Sequence, residues 1–205
     1  FKPKNSSSTC LRVGWICADI ANHPVARFLL SWLFASKDSL KHEHLVISIS
    51  PGQPTYEQLF RDLPNVTFID QSAPGTTPER IHRLRKLELD IAVDLNGWTG
   101  NHLAAAFVYR IAPLQLNYLA YHASTGIPNM DAWIVDKQLM PTDSSCEWHT
   151  EQLVSLSRPF LAWQPHPALP EATSAISPPA FDPQAGIRFG CFNNLRKISN
   201  EALQS

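Results

Sequence analysis

Apolar residues along this chain follow two alternating rhythms. Short β-rich runs predict strands at 11–16, 44–49, 66–70, 90–95, 114–119, 132–135 and 152–156. Stretches with helical spacing predict helices at 24–36, 55–63, 78–87 and 101–110. In the first helix Val25, Phe28, Leu29, Trp32 and Leu33 form the apolar stripe, and Pro24 stands where a missing N–H costs nothing. Thr77, Pro78 and Glu79 supply a capping hydroxyl, an early proline and an acid at the positive end of the helix dipole. Strand–helix alternation of this kind predicts an α/β fold, a Rossmann-like parallel sheet with helices on both faces.

The pattern changes after residue 158. Seven prolines fall between Pro159 and Pro183, too many for a helix or a central strand. The predicted organisation is a polar tail at 1–9, the α/β domain at 10–160, a proline-rich linker at 161–184 and the opening of a second domain at 185–205. The chain begins at Phe1 and its last segment holds a strand, a turn and a helix start, so it is expected to be a fragment.

With 205 residues and 44% apolar content the chain can bury a full core. Lysine and arginine number 17 against 18 acids, so no overall basic field draws it to nucleic acid or to an anionic membrane. Its apolar runs are far shorter than the roughly 18 residues that cross a bilayer. Cys10, Cys17, Cys146 and Cys191 have neither zinc spacing nor disulfide density, which predicts reduced, buried thiols in a cytoplasmic protein.

Ligands of open α/β sheets bind beyond the carboxyl ends of the strands. Three polar loops are expected there: 19–23 with His23, 96–100 opening on Asn96, and 121–126 with His122, Ser124 and Thr125. Their hydroxyls, amides and imidazoles suit a polyhydroxylated or phosphorylated ligand. Glu79 and His82 share one helix face as a further polar pair, against the plainer reading of a solvated face. Lys197 follows a strand and a polar turn, where a point charge can meet phosphate. Asp90 and Asp94 do not form a closely spaced Asp-x-Asp, and His42, His44, His149 and His166 lack ligand spacing, so no metal is expected.

In order, the runs 11–14, 22–24, 90–99, 110–115, 121–126 with Met130 and Asp131, and 192–197 resemble the N-terminal half of the catalytic region of protein O-GlcNAc transferases. That family consists of inverting glycosyltransferases with a two-domain GT-B fold. The resemblance implies transfer of N-acetylglucosamine from UDP-GlcNAc to serine or threonine hydroxyls of protein or peptide acceptors, with no metal or other cofactor. It places His23 in the cleft near donor sugar and acceptor, Lys197 on the departing diphosphate and Asn194 near the nucleotide. Glu79 and His82 match further cleft residues. The 121–126 loop departs from the family's Tyr-Pro-Gly-Thr-Ser-Gly, which leaves GDP-fucose as an alternative donor. A non-catalytic peptide-binding module is the alternative of a different class. By themselves the 205 residues are expected to be catalytically silent.

Overall fold

The computed structural model describes residues 10–140, 149–161, 163, 190, 198 and 199. The chain divides into the units Phe1–Glu171 and Ala172–Ser205. The expected linker and second-domain opening fall almost wholly outside the described residues, as do Asn194, Lys197, Cys146 and Cys191.

All seven expected strands form: β1 (Arg12–Cys17), β2 (Glu43–Ser48), β3 (Val66–Asp70), β4 (Ile91–Asp94), β5 (Leu114–Asn117), β6 (Ala132–Asp136) and β7 (Gln152–Leu156). They make one sheet of order β3-β2-β1-β4-β5-β6-β7, with every neighbouring pair parallel. The chain winds outward from β1 to β3, then re-enters on the other side of β1 at β4. That reversal creates a crevice between the ends of β1 and β4, the topological switch point of a doubly wound sheet.

Among the described residues four helices cover the two faces: α1 (Pro24–Ser36), α2 (Pro54–Arg61), α3 (Thr77–Arg85) and α4 (Ala104–Val108). One core lies beneath α1 and α2, where Trp15, Val46, Val93 and Phe68 meet Leu29, Leu33 and Phe60. The other lies beneath α3 and α4, where Ile16, Leu45, Ile47 and Ala92 meet Ile81, Leu84 and Phe107. Burial on both faces explains why the central strands read as continuous apolar runs. No helix among the described residues is long and apolar enough to cross a membrane.

Several local expectations are corrected. Phe28 and Trp32 are only partly buried at the flank of α1, and Trp32 tilts against Trp15 at a centroid distance of 4.9 Å. The cap of α3 is Thr76 rather than Thr77: the Glu79 carboxylate accepts from the Thr76 N–H at 2.7 Å and from its hydroxyl at 3.0 Å. The fourth helix is five residues long instead of ten. Asn101 and Arg110 have left-handed φ of 57° and 52°, and such residues stop a helix at both ends. Strand β5 stops two residues early, just before Leu119 turns to φ 83°. The thiols divide as well: Cys17 is buried, but Cys10 is exposed.

Candidate active site

The crevice at the switch point is organised by Asn96, which follows β4 after Leu95 and opens the 96–100 turn. Its side chain is fully buried. Oδ1 accepts from the Ala18 N–H at 2.7 Å, and Nδ2 donates to Asp19 Oδ2 at 3.0 Å. One amide therefore ties the loop after β1 to the turn after β4, across 78 positions of sequence. Asn96 acts here as a clamp with both ends occupied.

His23 stands at the mouth of this clamp as the N-cap of α1, with extended backbone angles. Its Nδ1 accepts from the Val25 N–H at 3.4 Å and lies 3.9 Å from Asp19 Oδ2. The side chain is 46% exposed, so the other ring edge faces solvent. The preceding residue is fixed too: Asn22 N–H donates to Gln53 Oε1 at 3.0 Å, while its Oδ1 accepts from Tyr56 Oη at 3.1 Å and from the Arg27 guanidinium. This combination gives a half-exposed imidazole on a backbone tied by hydrogen bonds.

Below the clamp, Asp94 ends β4 with 1% exposure. Its Oδ1 accepts from the Asn96 N–H at 3.0 Å, while Oδ2 has no hydrogen-bond partner. Burial raises its carboxyl to about 6, against the opposing pull of the Asn96 and Gly97 N–H groups. On the strand beside it, the Cys17 thiol is pushed up to about 12, also chiefly by burial, and is inert as a nucleophile at neutral pH.

The third loop closes the rim. Gly97 has φ 54°, and a Cβ there would lie 2.4 Å from Tyr121 Cβ, so only glycine lets the 96–100 turn lie against the 118–126 segment. Trp98 Nε1 donates to the Thr125 carbonyl at 2.7 Å, while 47% of the residue stays exposed beside the crevice. The Ser124 and Thr125 hydroxyls, expected to meet a ligand, instead both donate to Glu151, which also accepts from the Thr125 N–H at 2.6 Å. Glu151 is 2% exposed. Burial alone would raise its carboxyl, but the bonds from Thr125 and Ser124 outweigh that and hold it below the ordinary range. His122 is exposed, with its ring edge-on to Phe160 at a centroid distance of 5.2 Å.

The structure thus gathers His23, Asp19, Asn96 and Trp98 with the 121–126 loop. It does not bring Glu79 and His82 to them by any hydrogen bond or ion pair among the described residues. Glu79 is engaged at the start of α3, and bonds from Thr76 hold its carboxyl below the ordinary range. His82 lines a separate cleft between α3 and α4 with Ile81, Arg85 and Tyr109. The sequence names Asp94 at the end of its strand without a role at the rim, and does not single out Glu151. A buried acid inside an apolar strand is a readable signal for Asp94, whereas nothing near Glu151 in sequence points to a loop 26 residues away. No group of three His, Cys, Asp or Glu side chains among the described residues has metal-binding geometry.

Comparison with known proteins agrees with the fold. The chain is 37% identical over 196 residues to a rice (Oryza sativa subsp. japonica) protein named probable UDP-N-acetylglucosamine–peptide N-acetylglucosaminyltransferase SPINDLY, a match covering 95% of this chain and 20% of that protein. The Arabidopsis thaliana protein of the same name is 31% identical over 198 residues, covering 95% and 21%. Among solved structures, a mutant O-GlcNAc transferase of Thermobaculum terrenum superposes with a TM-score of 0.69 at 34% identity, covering 79% of this chain and 30% of that one. The chain therefore spans about a fifth of the length of the relatives it matches. The sequence model of glycosyl transferase family 41 matches residues 1–171, and the chain belongs to that family.

Proposed function

We propose that this chain is the acceptor-side part of a protein O-GlcNAc transferase, which moves N-acetylglucosamine from UDP-GlcNAc to serine or threonine hydroxyls of proteins with inversion. The observation that carries the reading is the clamped rim of a family 41 chain: His23, half exposed, stands over the Asn96 bridge at the sheet's switch point. The acceptor hydroxyl oxygen attacks the anomeric carbon as the bond to the diphosphate breaks, and the hydroxyl proton leaves to the departing diphosphate or to solvent. The leaving group needs fixed positive charge, which the family resemblance assigns to Lys197, with Asn194 near the nucleotide.

The geometry supports an orienting role for His23. Because Nδ1 accepts from the Val25 N–H, the neutral ring carries its proton on Nε2. A ring in that tautomer donates a hydrogen bond to an incoming sugar or acceptor oxygen and does not accept a proton there. Trp98 offers a fixed aromatic face beside it, suited to the apolar face of a sugar ring or a peptide side chain. We assign no metal to the reaction and place the protein in the cytoplasm.

The test is turnover by a full-length family 41 transferase that carries this sequence. Labelled transfer from UDP-GlcNAc to a serine/threonine peptide is expected, with strong loss on Lys197→Ala and a larger effect of His23→Ala on turnover than on folding. The 205 residues alone are expected to be silent. Turnover with GDP-fucose and none with UDP-GlcNAc would replace the donor. Peptide binding without nucleotide that survives His23→Ala would replace the enzyme by a binding module.

A further inference from the structure

Asp94 and Asn117 hold directly opposed positions in the parallel register of β4 and β5. Paired residues of neighbouring strands send their side chains to the same face, with backbones about 4.8 Å apart. Both residues are buried, at 1% and 0% exposure. Each leaves one oxygen without a hydrogen-bond partner: Asp94 Oδ2 and Asn117 Oδ1. Two buried acceptors at paired positions on one face of the sheet thus have no donor, whereas buried polar groups are almost always paired. The Asn117 amide cannot simply turn over to supply one. Its Nδ2 lies 3.5 Å from the carbonyls of Tyr121 and Ala123, and reversal would set its oxygen against both.

We propose that Asp94 is a positioning residue that in its protonated form donates from Oδ2 to Asn117 Oδ1, and thereby holds the rim in the geometry seen here. Its other oxygen accepts from the Asn96 N–H, and the Asn96 side chain then fixes the Ala18 N–H and Asp19 Oδ2, beside His23 Nδ1. The same proton sharing sets Asn117, which carries the start of the 118–126 segment. One buried hydrogen bond thus coordinates all three loops. The raised carboxyl of Asp94 agrees with a retained proton.

The ionisable groups nearest to Asp94 come from β1 and its loop, Cys17 and Asp19. Tyr121 arrives from the third loop against Gly97, and His102 from the segment before α4, where it packs on Trp98. Strand β5 and helix α4 carry no ionisable side chain, and α3 buries only Ile81 and Leu84. On β6, Asp136 is engaged with the N–H groups of Gln138, Leu139 and Phe160. Among the described residues no cation therefore compensates an ionised Asp94, and losing its proton breaks the link to Asn117.

The test is carbon and nitrogen NMR of the 205-residue chain from pH 4 to 8. The Asp94 carboxyl carbon is expected to titrate near 6, well above the carboxylate range. The Asn117 side-chain amide and the Ala18 and Asn96 N–H signals are expected to shift with the same midpoint. In Asp94→Asn that shared inflection disappears; if the variant does not fold, the wild-type titration still decides. An Asp94 carboxyl ionised throughout the range overturns the proposal, and so does a titration that the Asn117 and Ala18 signals do not follow. The functional side rests on the rim being the transfer site. These readouts need no nucleotide, so their failure leaves the transferase reading standing, and a longer protein that binds no donor leaves the proton in place.

Discussion

Replacing Asp94 by asparagine should stabilise this domain at neutral pH, and by an amount that grows with pH. Asparagine keeps the Oδ1 acceptor for the Asn96 N–H and offers Asn117 a donor without any ionisation. In the wild type the folded carboxyl titrates at about 6, against 3.8 for the ordinary group. A group whose folded value is raised contributes its full stability below the unfolded value and loses it as pH rises through the folded one. A difference of about 2.2 units at 1.36 kcal/mol each amounts to roughly 3 kcal/mol by pH 7, with about half already lost at pH 5. Urea denaturation of both proteins at pH 5, 6, 7 and 8 measures the stability gap, and its pH dependence cancels contributions common to the two. The gap should widen by about 1.5 kcal/mol between pH 5 and 8 and flatten above 7. A gap independent of pH, or one that narrows, refutes both the raised carboxyl and its cause in burial.

Gly97→Ala should cost at least about 2 kcal/mol, since φ 54° and a contact of 2.4 Å with Tyr121 act together, and Tyr121→Gly in the same chain should return part of it in a double-mutant cycle. Glu151→Ala should destabilise by about 3 kcal/mol by leaving the Thr125 N–H and two hydroxyls without their acceptor, and hydrogen exchange at Thr125 should rise well above that of β1. His44 gives a pH effect of opposite sense to that of Asp94. Burial first and His42 second hold its imidazole below the ordinary value, and its Nδ1 accepts from Trp15 Nε1 at 3.0 Å. A lowered folded value for a base means stability present above about 6.5 and lost as pH falls below it. His44→Gln should remove that acid-side slope in urea melts followed by Trp fluorescence.

The position of each strand and of three helices was written locally, because a run such as Leu45-Val46-Ile47 or a proline after a capping residue carries its own conformational preference. The ends of elements were less legible. The fourth helix is cut short by left-handed Asn101 and Arg110, and its ten-residue reading followed apolar spacing that does not encode φ. The three loops of the rim were legible as polar interruptions after strands. Which of their side chains remain free was not, because that depends on partners far away in sequence: Ser124 and Thr125 meet Glu151, and Asn96 meets Ala18 and Asp19. Glu79 shows the converse, a polar residue whose role is set three positions away by Thr76.

By itself the sequence determined the alternation of strands and helices, the absence of a strong net charge, and the loops in which His23 and Asn96 sit, since propensity and polarity act over a few residues. Only the tertiary structure decided the strand order that reverses between β1 and β4, and hence which loops share a crevice. It also decided the environment of Asp94, which is an ordinary acid until β1, β5 and the third loop exclude water from it. Desolvation is a property of the packed sheet, and no stretch of residues read alone contains it.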